Sequence, residues 1–237
     1  MPSVTCEKQL SIPTTQDKSL QSYWKFNETV GTRMDSKGTN HLPVINAAKV
    51  SFDVGVISNA VKMLAGVTGA NYLNLTTALL QFGTTGFTFC GWYKTTSNLV
   101  NKPAMSIFLT DSLSNNANGV TFTPPIVTYF QVASSKTTTP TFGTVNTFHF
   151  FRVWVDGSTN TLNVKINEGA TLSAALGFTY AKITAAGGII QANASSVGTT
   201  NQYLDECGFW NCVLTDAEAA LVYNGGAGQT YPNLPYA

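Results

Sequence analysis

Twelve carboxylates, two histidines and four cysteines are all that this chain has for proton transfer, nucleophilic attack or metal ligation. Hydrolysis of a glycoside needs two carboxylates flanking the bond, about 5–9.5 Å apart depending on the stereochemical outcome. The close acidic pairs are Asp205/Glu206 and Asp216/Glu218. Neighbouring residues of a regular strand point to opposite faces, so Asp205 and Glu206 are not expected to face one substrate. Asp216 and Glu218 read as the start of a helix. No G-x-S-x-G is present to place a serine nucleophile. His41 falls in a loop and His149 inside a strand with no acid motif beside it, which makes His149 a core or interface residue rather than a base. Cys6, Cys90, Cys207 and Cys212 fit neither a dense disulfide framework nor zinc spacing. On one strand Cys207 and Cys212 would point to opposite faces, a poor geometry for a bridge. Free, buried thiols are therefore expected, as in a reducing compartment. Gly187-Gly188 and Gly225-Gly226 read as turn and cap glycines, since neither joins a strand to a helix carrying Lys-Ser/Thr.

The elements that must position these residues are short strands. Apolar-rich runs recur at 22–26, 60–64, 87–94, 104–109, 126–132, 148–155, 162–166 and 203–210, separated by turn-forming loops such as SNNANG, DGSTN and TAAGG. This pattern, with almost no helical period, indicates a sandwich. The run 148–155 puts Phe148, Phe150, Arg152 and Trp154 on one side and His149, Phe151, Val153 and Val155 on the other, as in a central strand covered on both faces. It forms a hairpin with 162–166, whose alternating Leu162, Val164 and Ile166 predict a strand nearer solvent. Trp24, Trp92, Trp154 and Trp210 all fall in predicted strands and read as core. Tyr129, Phe142, Tyr180 and Tyr231 read as loop aromatics flanked by Thr and Asn. One helix is signalled at 216–224: Thr215 and Glu218 have capping-box spacing, Gly225 suits the closing position, and Leu221 and Val222 are expected to dock on the sandwich.

Of the 237 residues only 11% are charged, against the roughly 25% of ordinary soluble domains. The chain is nevertheless 43% hydrophobic and 11% aromatic, which excludes disorder. A formal net charge of +1 lacks the basic footprint of a nucleic-acid binder. No apolar run is long enough for a membrane helix, and the first residues have neither the basic nor the apolar region of a secretory leader, so no membrane or export route is expected. One domain is expected over 22–231, preceded by a polar arm at 1–21 and followed by a tail at 232–237; all-β sandwiches commonly reach this size as one unit.

The order of the pieces resembles the laminin-G-like, concanavalin A-like jelly rolls. The likeness is carried by Tyr23-Trp24-Lys25-Phe26-Asn27-Glu28, by the loop Asp35-Ser36-Lys37-Gly38-Thr39-Asn40 and by the strand Phe87 to Lys94. It continues in the hairpin from Phe148-His149 to Gly169, with Phe148 in place of the usual Trp and Asn167-Glu168-Gly169 where D-G is usual, and closes on Leu204-Asp205-Glu206 through Leu214-Thr215-Asp216-Ala217-Glu218. The resemblance implies an all-β, two-sheet antiparallel jelly-roll sandwich, with first and last strands adjacent and one short C-terminal helix outside. In the glucanases of this fold one strand carries E-x-D-x-x-E; no such string occurs here, so an enzyme is not expected. The resemblance also implies one structural calcium ion at Asp35, Asn40, Asp205 and Glu28; the alternative is that Asp35 caps a turn while Asp205 satisfies buried amides.

The ending, Leu221 to Pro232, is similar to such domains in bacteriophage structural proteins. That implies a non-enzymatic virion protein, a capsid decoration or tail-associated component whose partners are virion proteins and, through avidity, host-surface glycans. A homo-oligomer, with a trimer at local threefold positions, is the corresponding expectation. The alternative is a free carbohydrate-binding module or lectin.

Overall fold

The computed structural model describes residues 20–64, 73–78, 80–97, 104–110, 118–131, 134–181, 187–192 and 200–234. Residues 1–19 of the expected arm, Cys6 among them, and residues 235–237 of the tail lie outside them, while residues 20 and 21 of the expected arm open β1. Fourteen strands form two antiparallel sheets, and one short helix packs outside, as the sequence implies.

The first sheet contains β1 (Leu20–Trp24), β2 (Val50–Val54), β3 (Asn59–Met63), β5 (Gly86–Thr95), β10 (His149–Asp156), β11 (Thr161–Ile166), β12 (Leu172–Ala175) and β14 (Gln202–Trp210), ordered β12-β11-β10-β5-β14-β3-β2. β14 changes partner along one edge: Gln202 to Leu204 pair with β3, whereas Cys207 to Trp210 pair with β1. The expected neighbourhood of first and last strands is thus present. The second sheet orders β4 (Leu73–Ala78), β13 (Gly187–Ala192), β6 (Met105–Thr110), β7 (Asn118–Thr123), β8 (Ile126–Gln131) and β9 (Ser134–Thr138). Several of these strands escape a reading of apolar runs, because Thr- and Ser-rich segments such as Ser134–Thr138 bury little of their surface.

Between the sheets lies an aromatic core. Phe122 of the second sheet stacks on Phe151 of the first with ring centroids 4.0 Å apart, and Phe82 stacks on Phe87 at 4.4 Å. A second cluster, with Leu20, Tyr23, Cys90, Trp92, Phe150, Trp210 and Leu214, covers the outer face of the first sheet beneath helix α1 (Asp216–Tyr223). β10 is therefore covered on both faces, as its residues predict. β11 departs from expectation: Asn163 and Lys165 are buried too, because β12 continues the sheet beyond it and takes the edge.

Helix α1 opens with the expected reciprocal cap: Thr215 N donates to Glu218 Oε2 at 2.6 Å and Glu218 N donates to Thr215 Oγ1 at 3.3 Å. It closes one residue before the predicted glycine, because Asn224 itself takes the left-handed conformation with φ 48°. Val222 docks in the outer cluster, while Leu221 stays 42% exposed. Asp216 at the helix start ties α1 to the sheet, accepting from the buried Arg152 and from Lys165, and the Arg152 guanidinium also donates to the carbonyl of Thr215.

Candidate functional site

Asp205 and Glu206 overturn the opposite-face expectation, because β14 is not regular where they sit. A β-bulge falls between Asp205 and Gly208 in the pairing with β5, and Glu206 takes the left-handed conformation with φ 46°. The bulge lies where β14 passes from β3 to β1. Both carboxylates are almost wholly buried. Asp205 Oδ2 accepts from Val56 N at 2.7 Å and Ile57 N at 3.1 Å, closing the turn between β2 and β3. Among the described residues Asp205 Oδ1 and both oxygens of Glu206 are buried with no well-formed hydrogen bond, although the Tyr23 and Thr230 hydroxyls lie near Glu206. Burial pushes Asp205 up to about 8, with the Glu206 charge adding and the amides of Ile57, Val56 and Glu206 opposing. Burial likewise pushes Glu206 up to about 7, against the pull of Tyr23, Thr230 and Lys25. The two buried carboxyls are near enough for the Glu206 charge to raise Asp205, and the Tyr23 hydroxyl beside Glu206 donates to the Gln229 carbonyl.

The other three residues named for calcium are placed differently. Asp35 Oδ1 accepts from Tyr23 N and Lys37 N, and Oδ2 from Asn40 N, so the loop turns its amides onto the carboxylate. Asn40 Nδ2 donates to Ser22 Oγ at 2.7 Å and its carbonyl accepts from Trp24 Nε1. Glu28 Oε1 accepts from Met34 N, while its Oε2 is buried without a partner. Asp35 and Asn40 are thus brought together, but as acceptor and donor. Asp35 bridges to Trp24 of β1, and Trp24 pairs with Cys207 on its other side, so β1 runs between the Asp35 loop and β14. Calcium takes oxygens only. The Asp35 carboxylate is ringed by N–H donors, and Asp205 too accepts from two backbone amides. Among the described residues no group of three or more His, Cys, Asp and Glu side chains is arranged to hold a metal ion.

The remaining candidates for chemistry are structural. His149 is buried; its ring bonds to the Thr144 carbonyl and to Asn167 Nδ2, each at 3.0 Å. His41 Nδ1 accepts from Asp35 N. Cys90 and Cys207 are buried free thiols, and burial raises both far above the usual thiol range. Cys212 is half-buried and free of any disulfide. Trp24, Trp92 and Trp210 are core as expected. Trp154 is only half-buried and lies under the Arg152 guanidinium at 4.3 Å from its centroid. Tyr129 and Tyr180, read as loop aromatics, are buried against the core instead, Tyr129 because it belongs to β8.

Phe142 keeps the expected position. With Thr95, Pro124, Pro125, Thr139, Pro140 and Thr141 it lines a cleft of about 310 Å³ where β5, the β7–β8 turn and the loop before β10 meet. Phe142 is held edge-on by Tyr93 and Phe122 at 5.8 and 5.5 Å. A second hollow of about 290 Å³ shares Pro140 and Thr141 and is completed by Val164, Ile166, Ala170 and Leu172. Among the described residues that line them, neither has a charged one. Sequence reasoning marks Phe142 alone; the prolines and threonines around it come from segments far apart in the chain.

No family model matches this sequence, and no curated protein is detectably similar to it in sequence. Solved structures do match in fold. The binding domain of botulinum neurotoxin serotype D superposes with a TM-score of 0.62 at 13% identity over 90% of this chain and 52% of that one. The binding domain of Paraclostridial Mosquitocidal Protein 1 gives 0.63 at 11% identity over 89% and 53%. A botulinum neurotoxin DC binding domain in complex with SialylT gives 0.62 at 13% identity over 88% and 52%. At such identities the likeness is one of fold, a two-sheet all-β sandwich, and the chain spans about half the length of the solved chains it matches.

Proposed function

We propose that this chain is a non-catalytic, lectin-like domain that binds neutral parts of glycans. The observation that carries this reading is the charge-free cleft at Phe142: threonine hydroxyls offer hydrogen bonds to sugar hydroxyls, while three prolines and a fixed aromatic ring offer apolar contact to sugar C–H groups. Its volume, about 310 Å³, sits at the lower end of small-molecule sites, a size for one or two sugar units. The structural neighbours support it, being binding domains by name, one of them in complex with SialylT. The acid pair is not assigned hydrolysis in this proposal, because Asp205 and Glu206 are almost wholly buried and neither is among the described residues that line this cleft. Phe142→Ala is expected to abolish the strongest signals of the purified protein on a glycan array while leaving the fold intact by circular dichroism; unchanged signals would remove the cleft from the proposal.

The setting we propose is a virion, on the resemblance of residues 221–232 to phage structural domains, and mass spectrometry of isolated particles tests it. A structural calcium ion belongs to the proposal only with oxygens from Asp205 and Glu206, and calorimetric titration with calcium of chelator-treated protein tests that.

A further inference from the structure

A row of four side chains crosses the outer face of the first sheet beyond the part that α1 covers. The register aligns Lys62 of β3 with Tyr203 of β14 and Tyr203 with Lys94 of β5, and Phe148 precedes β10 beside them. Lys94 Nζ lies 4.2 Å from the Tyr203 ring centroid and 4.6 Å from that of Phe148; Lys62 Nζ lies 5.5 Å from the same tyrosine ring. Lys62 is neutralised by Asp53 at 3.3 Å. Among the described residues Lys94 has no carboxylate within ion-pair distance. Two ring faces hold its ammonium in place, a contact that strengthens as water is removed. Burial depresses the Lys94 pKa; Asp53 opposes this and Lys62 adds to it.

An ordered ammonium that is partly stripped of water and lacks a counter-charge is poised for an anion. The local sum of Lys62, Asp53 and Lys94 is one positive charge, which matches a single carboxylate better than a polyanion. Half-buried Phe148 supplies apolar surface for the ring that bears it, while buried Tyr203 holds the ammonium from below. Thr95, the next residue of β5, lines the Phe142 cleft, so a short sugar chain turning over the end of β5 spans both places. We propose that Lys94, flanked by Tyr203 and Phe148 and assisted by Lys62, seats the carboxylate of an acidic sugar adjoining the neutral cleft. This assignment rests on the glycan-binding reading above and names the class of sugar.

The test uses the full chain on a panel of matched oligosaccharides, each presented with and without a terminal carboxylate-bearing sugar, for wild type, Lys94→Gln and Lys94→Arg. Thermal melts establish that each variant folds. The expected result is an acid-bearing form bound about tenfold or more tightly than its neutral match, as a charged hydrogen bond provides. That preference should be lost in Lys94→Gln, kept in large part by Lys94→Arg, and weakened by salt, with neutral binding unchanged throughout. Equal binding of neutral and acidic forms by wild type, or an acidic preference that survives Lys94→Gln, overturns the Lys94 assignment and leaves the cleft reading standing. Absence of binding to every member of the panel overturns both.

Discussion

Replacing Asp205 by Asn should flatten the pH dependence of stability between pH 5 and 8. Asp205 is raised from 3.8 to about 8 and Glu206 from 4.5 to about 7, so between roughly pH 4 and 8 the folded chain holds protons that the unfolded chain has released. Stability from this pair is therefore complete below the unfolded pKa values near 4, falls as pH rises, and levels off above about 8. One retained proton corresponds to about 1.4 kcal/mol per pH unit, so Asp205 alone gives about 4 kcal/mol between pH 5 and 8. At 2–4 °C per kcal/mol for a domain of this size, the melting temperature should drop by roughly 8–16 °C over that range. The asparagine keeps an acceptor for the amides of Val56 and Ile57 but cannot ionise. Asp205→Asn should consequently melt above wild type at pH 8 and close to it at pH 5, with Glu206→Gln removing a smaller part of the slope. Calorimetric melts at intervals from pH 4 to 9, in a chelating buffer so that no cation satisfies the pair, read this directly. A wild-type profile that is flat from pH 5 to 8, or an Asp205→Asn profile with the wild-type slope, would refute the coupled-acid picture. The depressed carboxyls Asp53, Asp156 and Asp216 act with the opposite sign and at lower pH, where stability is lost as they protonate, so they do not mask the window.

Two further outcomes test the framework around the pair. Thr215→Ala removes the oxygen that caps α1 and should cost about 1 kcal/mol in chemical denaturation without changing its slope; no measurable loss would mean that the docking of Val222 alone sets the helix. Gly83→Ala would place a methyl 1.7 Å from the Asn211 carbonyl oxygen, a backbone clash no rotamer relieves, and it should lower the melting temperature by several degrees or prevent soluble expression; wild-type stability would show that the 82–86 segment moves freely.

Much of the architecture was legible in the chain because local chemistry and burial agree there. Phe148 to Val155 reads as a strand covered on both faces, and β10 lies between β5 and β11 with the interior on one face and the outer cluster on the other. Thr215 and Glu218 announce a helix start from four residues of sequence, since a cap is local. What escaped lies in non-local decisions. Nothing in Thr161–Ile166 reveals that β12 will pair on its far side and bury Lys165. Nothing in Ser134–Thr138 distinguishes a polar edge strand from a loop.

The same division holds at the candidate sites. By itself the sequence determined that this is an all-β sandwich with a capped helix, that its carboxylates do not form an E-x-D-x-x-E string, and that its net charge is nearly neutral, because residue types and short spacings suffice for each. Tertiary structure alone decided that Asp205 and Glu206 are both buried next to each other, since the bulge between Asp205 and Gly208, where β14 exchanges β3 for β1, takes Glu206 out of regular alternation. It alone set Thr95, Pro124, Pro140 and Phe142 around one cleft, and Lys94 between two rings with no carboxylate within ion-pair distance among the described residues. Those groupings depend on which strands lie side by side, and side-by-side pairing of distant segments is settled by burial of the whole core rather than by any local pattern.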